Sequence, residues 1–343
     1  MRTVVRVGPI AARSGQIAKG LLPVGELADG CSPIHVPVII VNGVHDGPIA
    51  YLHAGSHGQE TVYAIDMMRQ LIGNELDVRH LRGAVIIVPA ANLLAHHAAS
   101  RIAPHYGVRE GGAFGGDLHK LWPGESSGSM TQRIASTIWT EIVSQADFVV
   151  DYHTNSSPGL PFTLLYQHGA RTRSTEDEGV WRRTVELAGA FGLTVVQGAP
   201  TPNALSGASM LAGKPALMVE IPSPRMLNPE LVASALRGTR NVLAHTGIIE
   251  APIEPQTGVV VIPGDHVILP SVRANRGGMI RFEVTPGVFS AAGTVIARVY
   301  DVFGDEVEAV RMAEDGYVST FPALSWAGAQ AIASGDYVAD CFS

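Results

Sequence analysis

The sequence predicts an α/β fold, with a mixed, mostly parallel sheet flanked by helices and a smaller all-β domain after it. Three observations carry this expectation. Short apolar runs rich in Val and Ile alternate with stretches of helical periodicity through most of the chain. The pattern breaks at the Pro/Gly-rich segment APIEPQTG, residues 251–258. Beyond it come short β-like runs divided by turn dipeptides.

HVPVIIVNG (35–43), GPIAYLHAG (47–55), GAVIIVPAAN (83–92) and ADFVVDYHT (146–154) read as strands. Their nearly continuous apolar character, without alternation, suits strands covered on both faces. Between them, Glu60 to Ile72 carries Val62, Ile65, Met68 and Ile72 at steps of three or four, which predicts a helix with that apolar face. Residues 129–145 repeat the pattern with Ile134, Ile138 and Ile142, and Ser129 or Thr131 is the expected N-cap. Residues 176–192 form a third helix, with Val180, Trp181, Leu187 and Phe191 apolar and Gly192 as its stop. After the break, Gly277-Gly278, Pro286-Gly287 and Asp315-Gly316 are turn signals at β spacing. Two domains are therefore expected, 1–250 and 251–343.

Composition narrows the function classes. Of 343 residues, 46% are hydrophobic and 16% charged, so a sizeable core is expected and extended disorder is not. A net charge of −7 without a Lys/Arg block argues against a nucleic-acid partner. Cys31 and Cys341 cannot form a disulfide framework, and neither sits in a CxxC pair. The first twenty residues lack the apolar core of a secretory signal, and no run approaches the roughly 18 apolar residues of a membrane span. The expectation is a soluble cytoplasmic protein without a membrane partner; a homo-oligomer is left open.

Chemistry concentrates in HAGSHGQETVYAIDMMRQL, residues 53–71. His57 and Glu60 lie three residues apart at a strand-to-helix turn, where the carboxyl end of a strand in an open α/β sheet presents its ligands. A catalytic zinc site takes three protein ligands and keeps one open position. His153, directly after the apolar run of DFVVDYHT, is a candidate third. The plain alternative is a first-turn glutamate favoured by the helix dipole and a histidine that merely ends a strand.

GSHGQE, PAANLLAHHAASR, GGDLHKLWPG, DYHT and ALMVEIP occur in the order of the succinylglutamate desuccinylase/aspartoacylase family, which the chain resembles over roughly residues 30–225. The β-rich tail is also similar to the C-terminal domain of its members. The resemblance is nearest to the bacterial branch of ectoine-derivative and N-acetyl-diaminobutyrate deacetylases. It implies a carboxypeptidase-like sheet, one Zn²⁺ held by His57, Glu60 and His153, and Glu220 as general base and acid. Arg101 would polarise the scissile carbonyl, and Asn92, His119 and Lys120 would face the substrate, a small N-acyl amino acid or amine. Two neutral imidazoles and a carboxylate agree with that chemistry, because the ion they hold stays positive and acidifies its water. Glu220 follows the apolar run ALMV, where desolvation favours a raised pKa.

One motif departs from the family. Where members usually have Asn-Arg, this chain has His119-Lys120; lysine lacks the bidentate fork of arginine, so planar carboxylate recognition is weakened. Other motifs weigh less. Gly124-Glu125-Ser126-Ser127-Gly128 fits G-x-S-x-G but follows a Pro-Gly turn, not the strand a nucleophile elbow requires. His96 and His97 read as packing or surface residues. His53 reads as a residue behind the ligands, and Asp151 as a carboxylate that orients one of them. The leading reading is a metal-dependent deacylase. A metallocarboxypeptidase and a non-catalytic metal or small-molecule binding protein are the alternatives.

Overall fold

The computed structural model describes residues 3–103, 116–167, 175–223, 226–322 and 330–343. A hairpin of β1 (Val4–Val7) and β2 (Ile10–Arg13) leads into β3 (Gln16–Glu26). Then follow β4 (Pro33–Asn42), β5 (His45–Ala54), β6 (Arg82–Val88), β7 (Phe148–Thr154), β8 (Phe162–Tyr166), β9 (Thr194–Gly198), β10 (Ala216–Ile221) and β11 (His266–Val267). Strands β3 to β11 make one nine-stranded sheet in the order β11-β9-β8-β10-β7-β5-β6-β4-β3. The pairs β6/β5, β5/β7, β7/β10, β8/β9 and β9/β11 are parallel, while β3/β4, β4/β6 and β8/β10 are antiparallel. The sheet is mixed and mostly parallel.

The apolar runs are continuous because both faces of the sheet are buried. Ile40, Ile49, Tyr51 and Ile86 join the core on one side, and their chain neighbours Val41, Ala50, Leu52, Val85 and Ile87 join the core on the other. Helices α1 (Thr61–Gln70), α4 (Thr175–Phe191) and α6 (Pro229–His245) cover the second face through Met67, Leu187, Phe191 and Val242. Helices α3 (Met130–Glu141) and α5 (Leu205–Leu211) cover the first through Ile134, Ile138 and Leu205. The short α2 (Leu93–His97) lies beside the turn before α1.

The face expected of α1 is corrected by the structure. Val62 and Ile65 are exposed, while Tyr63, Ala64, Met67, Met68 and Leu71 are buried. Apolar residues occupy two stripes of this helix, and the adjacent pair Met67-Met68 points the buried one at the sheet. The helix also ends at Gln70, giving way to a wider π-turn over Leu71–Glu75. Helix α3 follows the expectation more closely: Ser129 caps it in a reciprocal pair with Gln132, and Ile134, Ile138 and Ile142 are buried.

The C-terminal part contains two four-stranded sheets around their own core. One has β12 (Val272–Arg273), β19 (Tyr337–Phe342), β17 (Gly316–Thr320) and β14 (Phe289–Ser290) in that order. The other has β16 (Glu306–Arg311), β15 (Val295–Tyr300), β13 (Gly278–Phe282) and β18 (Ala331–Ile332). Ile280, Ile296, Val310, Val318 and Val338 fill the space between them. The stretch after the composition break is packed on the first sheet: Gln256 bonds Ser234 and the Phe191 carbonyl, and β11 adds to the edge of β9. Among the described residues no helix is long and apolar enough to cross a membrane, and Cys31 and Cys341 are unpaired.

Candidate active site and metal centre

The parallel strands β5, β7 and β10 are neighbours in the sheet and deliver three groups to one end of it. Glu220 of β10 stands level with His153 of β7, and Asp151 of β7 stands level with His53 of β5. After β5 the chain turns at Gly55, with φ of +74°, and enters a single 3-10 turn, Gly58–Glu60. Gly58 is needed there because a Cβ would lie 1.9 Å from the Ala95 carbonyl carbon of α2. Without a side chain the turn presses against α2, and His57 and Glu60 point back over the strand ends.

Glu60 lies between two imidazoles. His57 Nδ1 is 2.7 Å from its Oε1 and His153 Nδ1 is 3.0 Å from its Oε2, all three side chains being buried. Neither His57 nor Glu60 caps the helix with its side chain; the two side chains meet each other instead. Burial raises the Glu60 carboxyl, but His57 and His153 outweigh it and hold it far below the usual range. Burial likewise pulls His153 down, while Asp151 and Glu60 hold it well above its ordinary value. A positive charge is thus favoured between these side chains. Ligand atoms of His57, Glu60 and His153 lie within 4.8 Å of one another, and two imidazoles with one carboxylate form a donor set that fits a zinc-type divalent cation.

Both histidines are held from behind. His57 Nε2 is 2.9 Å from Asp117 Oδ1, and His153 Nε2 is 3.3 Å from Asp151 Oδ1. The Asp117 bond fixes the His57 ring and its tautomer, whereas Asp151 faces His153 as a nearby charge without a hydrogen bond to it. Asp117 also accepts from Arg101 Nε and Nη2 at 3.1 and 3.0 Å, so one carboxylate aligns a candidate ligand and the candidate carbonyl-polarising cation. Sequence reasoning passed over Asp117. The available signal was its place in DLHK, two residues before His119; its partners are 60 and 16 residues away.

Glu220 lines the same cavity as Glu60 and Arg101. Its Oε2 is buried without a hydrogen-bond partner, and burial, only partly opposed by His153, pushes its pKa up to about 7. The cavity measures about 410 Å³; Thr154, Phe162, Leu164 and Val196 of the large sheet line it too, as do Ser271, Ser319, Thr320, Tyr337 and Asp340 of the C-terminal part.

The other candidates are placed less directly. His119 is buried 4.8 Å from the His153 ring, with Nε2 3.4 Å from the Tyr166 hydroxyl and Nδ1 unpartnered. Together with Asp151 and His153 it forms a second possible ligand group. Lys120 is half-buried, with its pKa lowered first by burial, and it does not line the cavity. Asn92 caps α2 by accepting from Ala95 N at 3.1 Å, leaving Nδ2 buried and unbonded. His53 is bonded to Tyr51 and Ser56, and His96 to Thr61. Residues 124–128 precede α3 as a turn, as the missing elbow context requires. Gly115, the first residue of GGDLHKLWPG, lies outside the described residues.

Comparisons with known proteins agree with this fold. The Nα-acetyl-L-2,4-diaminobutyric acid deacetylase of Halomonas elongata is 29% identical over 339 residues, covering 93% of this chain and 92% of that protein. The succinylglutamate desuccinylase/aspartoacylase of Rhodobacter sphaeroides superposes with a TM-score of 0.77 at 24% identity, over 100% of this chain and 96% of the other. The product-bound ectoine utilization protein EutE (DoeB) of Ruegeria pomeroyi gives 0.79 at 22% identity, over 98% and 99%. The family model described as the succinylglutamate desuccinylase/aspartoacylase catalytic domain matches residues 46–246, more than half of the chain. The chain therefore belongs to the succinylglutamate desuccinylase/aspartoacylase family.

Proposed function

We propose that this protein is a metal-dependent hydrolase that cleaves the amide bond of a small N-acyl amino acid or N-acyl amine. One observation carries the reading: a carboxyl poised near neutrality, Glu220, lines the same cavity as Glu60 of a His57/Glu60/His153 donor set. A protein that only bound metal would have no use for the base. His57, Glu60 and His153 would hold the cation, Zn²⁺ by donor chemistry. When bound, it supplies Lewis acidity toward the scissile carbonyl and lowers the pKa of water toward neutrality.

The chain's own groups account for the remainder. Glu220 takes the proton of the attacking water and returns it to the leaving amine, a role suited to a pKa near the working pH. Arg101 stays charged throughout and faces the oxyanion as it develops, with Asp117 fixing its guanidinium. Lys120 and the unbonded donors of Asn92 and His119 are proposed to meet the polar parts of the substrate. Residues 1–250 would carry the chemistry and 251–343 would close the cavity.

The Halomonas relative acts on Nα-acetyl-L-2,4-diaminobutyrate by name, so that compound heads the test panel. The experiment assays metal-stripped and Zn²⁺-, Co²⁺- or Mn²⁺-loaded protein against N-acetyl and N-succinyl amino acids and against peptides. Turnover of one or more small acyl compounds, lost on chelation and restored by metal, is expected. Turnover of peptides alone would make it a carboxypeptidase, and stoichiometric metal without turnover a binding protein.

A further inference from the structure

Asp117 and Asp151 stand behind the two candidate imidazole ligands in unlike ways. Asp117 meets His57 Nε2 at 2.9 Å in a hydrogen bond and gives its other oxygen to Arg101. Asp151 is fully buried on β7, and neither of its oxygens has a hydrogen-bond partner among the described residues. His153 Nε2, 3.3 Å from Asp151 Oδ1, is likewise unbonded among them. A buried carboxylate without hydrogen bonds is costly, so the arrangement is one that a shared positive partner would relieve.

His119 completes it. Its buried ring lies 4.8 Å from the His153 ring, and its Nδ1 has no partner among the described residues. Its Nε2 is 3.4 Å from the Tyr166 hydroxyl; with that nitrogen as the donor, Nδ1 keeps its lone pair. One ligand atom from each of His119, Asp151 and His153 lies within 4.8 Å of the others. The 3.3 Å between His153 Nε2 and Asp151 Oδ1 also matches two ligands of a tetrahedral zinc-type ion, about 3.3 Å apart for bonds of about 2.0 Å. His57 and Asp117, by contrast, are aligned for each other.

We propose that His119, Asp151 and His153 form a site for a second divalent transition-metal cation, behind the His57/Glu60/His153 set. Two imidazoles and one carboxylate select zinc-type ions over Mg²⁺ or Ca²⁺, which prefer oxygen ligands. His153 would bridge, with Nδ1 toward the ion beside Glu60 and Nε2 toward the second. Its remaining ring proton leaves to solvent as the second ion binds. None of the three residues is among those lining the cavity, so this ion would balance Asp151 and fix the His153 ring without touching substrate. His119 would then face the ion in place of the substrate contact proposed above. It also stands where the family usually has Asn, so one substitution toward that Asn removes the site.

The test counts ions in the absence of substrate and so stands independently of the deacylase reading. Protein saturated with Zn²⁺ and freed of loose ion by gel filtration is analysed by inductively coupled plasma mass spectrometry. Two ions per chain are expected in the wild type, and one in each of His119→Asn, Asp151→Asn and Glu60→Gln. One ion in the wild type that His119→Asn leaves in place, or two that His119→Asn and Asp151→Asn both retain, would overturn the proposal. One ion lost from His119→Asn but kept by Glu60→Gln would uphold this site and refute the first donor set. Two ions with the expected losses but no turnover of any acyl compound uphold it and refute the deacylase. The wild type supplies a second readout should a variant fail to fold. A bridging imidazolate couples the spins of two Cu²⁺ ions, so the paramagnetic resonance per copper should fall as the second equivalent binds. A resonance that stays proportional to bound copper would count against the bridge and overturn the shared site.

Discussion

The sheet-end wall of the cavity, with Glu60, Arg101 and Glu220, and the wall of C-terminal strands, with Ser271, Ser319, Thr320 and Asp340, hold their polar groups differently. On the first, His57 bonds Glu60 and Asp117, and His153 bonds Glu60 with the Asp151 carboxyl 3.3 Å behind it. On the second, Asp340 has a single hydroxyl behind it. Groups that must hold a cation or move a proton need fixed geometry, and adjacent parallel strands supply it at small separations. The two walls therefore hold their polar groups to different degrees, and that difference can be tested.

The largest effect is expected on the sheet-end wall. Glu220→Gln should lower kcat about 10²- to 10⁴-fold on every substrate, the span of a lost general base, while metal content stays the same. Equal losses from Glu220→Gln and Asp340→Asn on a neutral substrate would break the comparison. The pH profile sharpens it. Glu220 works as a carboxylate, so kcat/KM should fall on the acid side of an inflection near its pKa of about 7, and lower once the donor set is metal-loaded. The stability sign is opposite to that of a salt-bridged carboxylate. Its pKa is raised above the ordinary 4.5, so its stabilising contribution is complete below pH 4.5 and is lost as pH rises through about 7. Glu220→Gln should thus unfold at higher urea than the wild type above pH 7, while the two converge in acid.

Next in size is the second grip on His57. Asp117→Asn keeps the volume but removes the charge behind the imidazole and beside Arg101. Metal affinity should weaken about 10- to 100-fold, as when other such supporting carboxylates are lost. Competition with a chromogenic chelator measures it. An unchanged affinity would mean that the first wall is held no more firmly than the second.

What could be read from sequence follows the range of the interactions involved. The strand runs, the HxxE turn and the Ser129 cap are written in residues close along the chain, and the structure brings His57, Glu60 and His153 into one cluster. Strand direction is not local: β4 has the same apolar character as β5 yet pairs antiparallel with β6, because nothing in a two-faced apolar run encodes its sense. The buried stripe of α1 was misread because Val62 and Ile65 form an equally regular apolar series on its outer side. Asp117 was missed for a third reason. It accepts locally from His119 N, but its bonds to His57 and Arg101 reach 60 and 16 residues along the chain, which no local spacing predicts.

The smallest effect concerns the joint between the walls. Ser156, just past β7, accepts from Phe321 N at 2.9 Å through its hydroxyl, which also meets the Thr320 hydroxyl; Leu160 N donates to the Ser319 carbonyl nearby. Ser156 and Phe321 are almost fully buried, so Ser156→Ala strands a backbone donor that water cannot reach. A loss of about 1–3 kcal/mol in unfolding free energy is expected, read from the urea midpoint. The substitution touches neither Glu220 nor the donor set, so the catalytic cost should appear in KM as the C-terminal wall loosens. A fall in kcat with KM unchanged would instead mean that the C-terminal strands position the reacting groups themselves, and the two walls would then have to be treated as one.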